Sequence, residues 1–428
     1  MEGDLFHAQR RGRRVKYGDW SYQAGRHRGF PANAWKMDGE LKIPTAGKPR
    51  KIVLRCHQSP GDVVMLTAAV RDLKKVCMAA VEVDVSTPCG HLWENNPHIT
   101  PLRVEEQDVE TIECHYPLIH RSNTGPWHFI HGFSQYLSEQ LKLPIQPTEF
   151  KGDIHLSSQE KSWVSQVQEI TREPVPFWIM VAGGKYDFTA KWWAQDRWQT
   201  VVDHFAGRIL FVQVGEAGHH HPPLQRVLDL RGKTDLRQLV RLIYHSQGVL
   251  CPVTLAMHLA AAVPVRPGMP KNRPCVVVAG GREPSQWEAY PHHQYIHTNG
   301  ALFCCDNGGC WKSRVVPIGD GNEKDSETNL CVDVVELATG RRQPGEAWAR
   351  QGARAPKLSA DDPPLSPSPA FLPRCLDLIS AEEVIRRVQI YFEGGAVRFL
   401  SEAERRTCAA MIPKLRWKNG RVAKCGFA

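Results

Sequence analysis

Short apolar runs alternate along the chain with segments of helical hydrophobic spacing. Ile52–Leu54 is an apolar run typical of a buried strand, and turn-like residues 56–61 follow it. The next apolar positions recur at the spacing of one helix face; they are Val63, Leu66, Val70 and Leu73. Val81–Val85 predicts a second strand. Because strands alternate with helices, the first half is predicted to be α/β with a parallel sheet.

A second series of the same kind begins near Val175. The predicted strands are residues 177–181, 209–214, 249–251 and 275–279, and the predicted helices are residues 196–205, 235–245 and 255–262. The pattern therefore predicts two α/β units in tandem.

Composition marks the boundaries of further segments. Residues 336–374 hold seven of the 31 prolines, which is typical of a linker or a disordered insertion. Ser380 and Glu383 form a capping box that predicts a helix to about Phe392. The predicted segments are a basic irregular arm (1–50), a first α/β domain (51–172), a second α/β domain (173–335) with a cysteine-rich stretch (301–331), the proline-rich segment (336–374), a helical segment (375–393) and a basic tail (394–428).

Charge is distributed unevenly. The formal net charge is +9, and residues 1–50 and 394–428 together carry twelve excess positive charges, so the middle carries −3. A nucleic-acid-binding domain would concentrate its basic residues on the folded surface, so we expect no nucleic-acid partner. The two basic ends are either solvated tails or segments that dock on an acidic partner.

No apolar run approaches the roughly 18 residues that a membrane helix needs, so we expect no transmembrane segment. The first residues are basic and lack the apolar stretch of a secretory signal. These features predict a cytoplasmic protein.

Known phosphate-binding motifs are missing, since neither G-x-x-x-x-G-K-[ST] nor G-x-G-x-x-G occurs in the sequence. Ligands of a parallel sheet nevertheless bind at the carboxyl ends of its strands, where helix N-termini present free amides. The first such loop contains Ser59, Gly61 and Asp62. Asp62 is either an ordinary acidic residue favoured by the helix dipole or a general base that takes a proton from an acceptor hydroxyl.

Three other loops hold candidates for binding an anionic ligand. In the first, Gly183 and Gly184 admit close approach of a ligand, and Lys185 and Lys191 can meet phosphate, although Lys191 can also be a surface cation packed on tryptophan. The next loop opens a helix, with Thr254 as its predicted N-cap. Arg282 and Glu283, which follow a predicted strand, are either donor-site residues or part of a surface turn.

Several motifs occur in the same order as in a known family. They are Arg55-x-x-x-Ser59-x-Gly61-Asp62, Thr67-Ala68-Ala69-Val70-Arg71-x-Leu73-Lys74, Asn96-Pro97-His98-Ile99, Lys191-x-Trp193, Asp229-Leu230-x-Gly232-Lys233-Thr234-x-Leu236 and Met257-His258-Leu259-Ala260-Ala261-Ala262. With these motifs, which span Lys51 to about Pro291, the chain resembles glycosyltransferase family nine, the bacterial ADP-heptose:lipopolysaccharide heptosyltransferases.

The resemblance implies a GT-B fold, in which two Rossmann-like domains face each other across a cleft and a C-terminal helix crosses back to the first domain. It implies an inverting transfer of heptose or a related sugar from an ADP-sugar to a hydroxyl, with Asp62 as the base. Lys191 would contact the donor phosphates, and the backbone amides of Thr254, Leu255 and Ala256 would hold the pyrophosphate without a catalytic metal. Lys185 and His258 are also predicted on the donor side, and Ser59 and Gly61 on the acceptor side. The acceptor would be a glycan, a protein or a small molecule.

The loop that contains Thr254 departs from the family pattern. The family has Asp-[Ser/Thr]-Gly there, whereas this chain has Val253-Thr254-Leu255. The change bears on the choice of donor sugar and leaves an alternative function open. In that alternative, the chain is a non-catalytic protein that binds a nucleotide-sugar or a glycan on the same fold.

The chain has 13 cysteines, of which a crowded set predicts a metal site. Four thiols on irregular segments suit a tetrahedral thiolate site for structural zinc or iron. The candidate ligands are Cys305, Cys310, Cys331 and Cys375, with Cys304 as an alternate to Cys305. Free thiols are the other interpretation. The resemblance adds support, because a branch of the family that glycosylates autotransporter proteins carries a four-cysteine iron site near its C-terminus.

Overall fold

The computed structural model describes residues 48–103, 108–344 and 370–412. Most of the predicted basic arm, most of the proline-rich segment and the end of the predicted tail lie outside these residues. The described helices include none that is both long enough and apolar enough to span a bilayer.

The first sheet is parallel and has the strand order β2–β1–β3 among the described residues. Its strands are β1 (Arg50–Arg55), β2 (Val81–Ser86) and β3 (Val109–Glu113). Ile52 and Leu54 of β1 are fully buried, as their apolar run predicts.

The second sheet is also parallel, in the order β6–β5–β4–β7–β8–β9. Its strands are β4 (Phe177–Met180), β5 (Leu210–Gln213), β6 (Leu228–Asp229), β7 (Gly248–Pro252), β8 (Cys275–Gly280) and β9 (His293–His297). Every residue of β4, β5, β7 and β8 is buried. Such fully buried, mostly apolar strands are typical of a parallel sheet covered on both faces. The prediction of an α/β protein with two parallel sheets is confirmed.

Helices follow most of the strands. They are α1 (Pro60–Cys77), α2 (Phe129–Leu141), α3 (Ser158–Ser162), α4 (Gln166–Thr171), α5 (Gln195–His204), α6 (Leu236–His245), α7 (Leu255–Ala262), α8 (Ser285–Glu288), α9 (Arg374–Asp377), α10 (Ala381–Glu393) and α11 (Glu402–Met411). Helix α1 contacts both α2 and α7. The N-terminus of a helix from the first half thus meets a helix from the second half, and this junction is where the candidate site lies.

The edges of the proline-rich segment fold into regular structure. Strands β10 (Asp333–Glu336), β11 (Arg342–Pro344) and β12 (Phe371–Pro373) form an antiparallel sheet in the order β11–β10–β12. Val334 and Leu372 are fully buried. The composition alone predicts a loop here, but these apolar residues at the edges of the segment are enough to anchor short strands.

The helices near the C-terminus contact different parts of the chain. Helix α10, which lies in the predicted crossing-back segment, contacts α5 and β8 of the second half. Helix α11 lies within the predicted basic tail and contacts α4, where Thr407 Oγ1 donates to Glu173 Oε2 at 2.7 Å. It forms because Ser401 and Glu404 cap its first turn and because Cys408 and Met411 are buried.

Candidate active site

Asp62 lies in the first turn of α1, directly after β1 and its turn. Its Oδ2 accepts a hydrogen bond from the Ser59 backbone N–H at 3.0 Å, which holds the carboxylate at the helix N-terminus. Burial raises the pKa of Asp62 from 3.8 to about 6, although the Ser59 bond and the charges of Lys191 and Lys185 act in the opposite direction. A carboxylate with this pKa can exchange protons near neutral pH.

Gly61 brings α1 close to α7. A Cβ at position 61 would lie 2.9 Å from His258 Cδ2, so the absence of a side chain permits the contact. His258 is buried, and its Nδ1 lies 2.6 Å from the Tyr290 hydroxyl, which in turn lies 2.9 Å from Met65 Sδ. Burial lowers the pKa of His258 to about 3, so the imidazole is neutral. His258, predicted on the donor side, thus packs in the junction between the two helices.

Lys191 ends a 3-10 segment, Tyr186–Lys191, that follows the loop after β4. Its Nζ lies 2.7 Å from Glu283 Oε1, and one fifth of its side chain is exposed. Burial and the charge of Arg282 lower the pKa of Lys191 to about 8, although Glu288 and Asp62 act in the opposite direction. Asp62 and Lys191, which come from the two halves of the chain, therefore influence each other's charge.

Arg282 and Glu283 are buried, so the surface-turn interpretation is wrong. The Arg282 guanidinium forms an ion pair with Glu283, donates through Nε to the Lys312 carbonyl at 2.5 Å and lies 4.9 Å from the centre of the Phe188 ring. Glu283 thus bridges Arg282 and Lys191 and holds both cations beside the site.

Glu288 is a buried carboxylate that the sequence analysis missed. Burial raises its pKa, whereas the charges of Lys191 and Arg282 lower it and Asp62 raises it. Among the described residues, Glu288 Oε2 and Glu283 Oε2 are buried and accept no hydrogen bond. The only signal for Glu288 in the sequence is a single charge between two aromatic residues, Trp287 and Tyr290.

The two glycines of the loop after β4 make room for a second backbone segment, whereas the sequence suggested room for a ligand. Gly183 has a φ of 141°, and a Cβ there would lie 1.9 Å from the His220 carbonyl oxygen. Gly184 exchanges backbone hydrogen bonds with His220, whose ring stacks on Trp192 at 4.0 Å. The glycines thus admit another backbone segment. Lys185, half-buried beside them, is near enough to Asp62 to lower its pKa.

The N-terminus of α7 lacks a side-chain cap. Thr254 has the extended backbone of an N-cap residue, but its hydroxyl donates to the Pro252 carbonyl at 3.3 Å instead. The first amides of a helix have no partner within the helix. The end of α7, at Leu255 and Ala256, therefore offers N–H groups and a partial positive charge to an anion.

The crowded cysteines lie around one turn of the chain, Gly280–Gly281. Cys375 Sγ would lie 3.3 Å from a Cβ at Gly280, and Cys305 Sγ 3.0 Å from one at Gly281. The Cys304 thiol donates to the sulfur of Cys310, which lowers the pKa of Cys310 to about 6.

Two further thiols lie in the same neighbourhood. Cys331 interacts electrostatically with Cys375 and Cys310. Cys305 donates to the carbonyls of Thr298 and Leu302, at 3.5 and 3.4 Å. The thiols are gathered but do not converge, because among the described residues no three of these sulfur atoms lie within 4.8 Å of one another.

The chain is similar to known proteins only at the level of structure. No family model matches the sequence, and no curated protein matches it. The iron-containing dodecameric glycosyltransferase TibC from enterotoxigenic E. coli matches with a TM-score of 0.50 and 15% identity, over 81% of this chain and 77% of that chain. The chain shares its fold with TibC. This match agrees with the GT-B fold that the sequence motifs imply.

Two other similar structures are more distant in shape. A family 9 glycosyltransferase from Veillonella parvula matches with a TM-score of 0.45 and 15% identity, over 58% of this chain and 86% of that chain. The E. coli ADP-heptose lipopolysaccharide heptosyltransferase II matches with a TM-score of 0.39 and 16% identity, over 58% of this chain and 90% of that chain.

Proposed function

We propose that this chain is an inverting glycosyltransferase that moves a sugar from an ADP-sugar to a hydroxyl acceptor. The observation that carries the proposal is the pairing of Asp62 at the N-terminus of α1 with Lys191 and the uncapped end of α7 across the junction of the two halves. The shared fold with TibC, a glycosyltransferase, supports it.

Asp62 acts as the general base. Its carboxylate accepts the proton of the acceptor hydroxyl while the hydroxyl oxygen forms a bond to the anomeric carbon of the sugar. The bond between that carbon and the diphosphate oxygen breaks at the same time, and ADP leaves with the bonding electrons. Because attack and departure occur on opposite faces, the anomeric configuration inverts. With a pKa of about 6, Asp62 is mostly ionised at neutral pH.

The leaving diphosphate is stabilised from the second half of the chain. Lys191 supplies a positive charge, and the amides of Thr254, Leu255 and Ala256 supply hydrogen-bond donors at the end of α7. Lys185 adds a second cation near Asp62. These groups replace a catalytic metal, since they neutralise the developing charge themselves.

Heptose, or a related sugar, is the donor sugar that the motifs suggest. Val253 and Leu255 stand where the family has an aspartate and a glycine, so the pocket for the sugar is more apolar than in the family pattern. The acceptor class is left to experiment, since an aspartate base serves a glycan, a protein or a small-molecule hydroxyl equally.

We propose in addition that the gathered cysteines hold one structural iron or zinc. The donor set fits, because thiolates are the ligands that both metals take in tetrahedral sites. Cys310, Cys331 and Cys375 would bind it with Cys304 or Cys305. The metal would fasten residues 301–331 to the start of α9 and supply folding energy rather than chemistry. TibC, named as iron-containing, supports this assignment.

A thermal-shift screen of nucleotides and nucleotide-sugars tests the enzymatic proposal. A ligand that binds only the native state raises the melting temperature. We expect ADP and ADP-sugars to raise it and UDP and GDP to have little effect. An ADP-sugar should then be turned over to ADP in the presence of a hydroxyl acceptor. Binding of ADP-sugar without turnover by any acceptor class would favour the non-catalytic alternative, and no binding of any nucleotide or nucleotide-sugar would contradict the transferase proposal.

Elemental analysis of the purified protein tests the cysteine proposal. We expect one iron or zinc per chain that depends on these thiols, and the loss of that ion in Cys331→Ser. Cys114→Ser is a matched control, because Cys114 is a buried thiol of the first half. Metal-free protein whose thiols all react freely while folded would contradict the site.

A further inference from the structure

A second cluster of potential metal ligands lies away from the cysteines and the candidate active site. Its members are His98, in the loop after β2, and Asp153 and His155, in the segment between α2 and α3. One ligand atom from each of the three lies within 4.8 Å of the others. Neither the sequence motifs nor the proposed transfer reaction gives these residues a role.

Alternating burial places Asp153 and His155 on the same side of the chain. Gly152, Ile154 and Leu156 are buried, whereas Asp153 and His155 are half-exposed. In extended backbone, side chains two residues apart point the same way. Burial of the intervening apolar residues therefore turns a carboxylate and an imidazole toward the loop that carries His98.

The backbone around the cluster is fixed by hydrogen bonds. Asn96 accepts from the His98 N–H through Oδ1 at 2.9 Å and donates through Nδ2 to the Asp153 carbonyl at 3.4 Å. The Asp153 N–H donates to Thr67 Oγ1 at 2.7 Å, and Arg237 donates to the His155 carbonyl at 2.7 Å. The three side chains thus project from anchored segments, which is what a preformed site requires.

The distances match those between neighbouring ligands of one metal ion. Asp153 Oδ2 lies 2.9 Å from His155 Nε2 and 3.4 Å from His98 Nε2. Bonds of about 2.0–2.2 Å at tetrahedral or octahedral angles place neighbouring ligand atoms about 2.9–3.5 Å apart. The side chains of His98, Asp153 and His155 are 26%, 20% and 30% exposed, so an ion can enter and keep an open position.

Charge and protonation also suit a divalent cation. Arg71 lies near the cluster, but its guanidinium pairs with Asp72 at 3.0 Å and donates to the carbonyls of Glu149 and Lys151. The site therefore presents one carboxylate beside two imidazoles. An ordinary imidazole is mostly neutral at pH 7, and the neutral ring is the form that binds a metal.

We propose that His98, Asp153 and His155 bind one divalent transition-metal ion, with zinc as the ion that two imidazoles and a carboxylate suit best. Calcium and magnesium are disfavoured because they prefer oxygen ligands alone. The ion ties the segment around residue 153 to the loop after β2. That segment passes between α1 and α7, since a Cβ at Gly152 would lie 2.5 Å from Val64 Cγ1 and 3.0 Å from Ala262 Cβ. The metal thus braces the chain beside the helix junction.

Zinc titration of the dialysed full-length chain, followed by calorimetry and metal analysis, tests this site. We expect His98→Gln and His155→Gln each to weaken one zinc site by more than about tenfold. His91→Gln is the matched control, because His91 pairs with Glu94 at 2.5 Å without a second histidine. Cys331→Ser should leave this site unchanged, which separates it from the cysteine site. Unchanged zinc binding in both histidine variants would overturn the proposal.

Cobalt spectroscopy of the unmodified protein gives an answer that does not depend on the folding of variants. Cobalt at this site should show d–d absorption without the thiolate-to-cobalt charge-transfer band that a cysteine site adds. If every cobalt ion that the protein binds shows that thiolate band, the three residues form only a hydrogen-bonded cluster and the proposal is wrong.

Discussion

The N-termini of α1 and α7 both lie at the candidate site, but they differ in whether a side-chain carboxylate caps them. At α1, the Asp62 carboxylate folds back to accept the Ser59 N–H. At α7, Thr254 donates to Pro252 and leaves the first turn uncapped. One helix end thus carries its own anion, and the other is left to receive one.

The difference shows how the same structural element, a helix N-terminus, can serve both partners of a transfer reaction. The end with a built-in carboxylate suits a nucleophile that must lose a proton, whereas the end with free amides suits a leaving group that gains charge. Lys191 bears on both helix ends, since its charge lowers the pKa of Asp62 and would also attract a diphosphate. If the two ends differ in this way, substitutions at α1 should affect sugar transfer and substitutions at α7 should affect ADP binding.

The largest effect is expected from Asp62→Asn. The amide keeps the shape of the side chain but cannot accept a proton, so the rate of sugar transfer should fall by about 10²–10⁴-fold. ADP binding, measured by calorimetry, should change little, because the proposal assigns the donor to the other helix end.

Asp196→Asn is the matched control for that prediction, since Asp196 is an exposed acidic residue in the first turn of α5. It should transfer sugar at the rate of the unmodified protein. Full transfer activity in Asp62→Asn would remove the catalytic distinction between the two helix ends.

Lys191→Gln should weaken the donor site. Loss of one charge-assisted contact to the diphosphate is expected to reduce ADP affinity by about 10–100-fold. Lys324→Gln is the control, because both lysines lie over the Phe188 ring, at 5.5 and 5.4 Å, but only Lys191 acts on Asp62. Equal ADP affinity in the two variants would show that Lys191 has no role at the phosphates.

Sequence patterns alone predict the strands and helices of the scaffold and select candidate residues at the two helix ends. Buried strands and amphipathic helices follow from local hydrophobic spacing, so β4, β5, β7 and β8 lie within one or two residues of their predicted positions. The roles of Asp62 and Lys191 stay predictions, but both residues were selected by motifs, and the fold brings them near each other.

The charges behind the site could not be predicted in the same way. Glu288 is buried because elements distant in sequence pack over it, and no local pattern marks such packing. Arg282 and Glu283 have turn-like neighbours, and their burial depends on two distant segments, one with Lys312 and the other with Phe188. Helix α11 was missed for another reason, since the basic composition of residues 394–428 outweighed the capping residues of the helix.

Transfer should depend on pH in a bell-shaped manner. The base must be ionised and the lysine protonated, and their pKa values are about 6 for Asp62 and about 8 for Lys191. Activity should be greatest near pH 7 and fall by roughly tenfold per pH unit beyond either limb. In Lys191→Gln, the alkaline limb should disappear. A rate that is flat from pH 5 to 9 would contradict both assignments.

Stability should vary with pH through the same carboxyl group. Folding raises the pKa of Asp62 above its ordinary value of 3.8, so the native state holds the proton more tightly than the unfolded state. The stabilisation is complete below pH 3.8 and is lost as the pH rises through about 6. Asp62→Asn should therefore melt at a higher temperature than the unmodified protein at pH 7, and the difference should shrink toward pH 4.

The smallest effect is expected from a change that makes α7 resemble α1. Thr254 already has the extended backbone of an N-cap residue, so Thr254→Asp can place a carboxylate over the first amides without moving the chain. That carboxylate would occupy the N–H groups and repel a diphosphate, so ADP affinity should fall by about tenfold while the helix becomes more stable by about 1 kcal/mol. Thr254→Asn supplies a cap without the charge and should weaken ADP binding less. If Thr254→Asp binds ADP as tightly as the unmodified protein, the diphosphate does not bind at this helix end, and the contrast with α1 is one of capping alone.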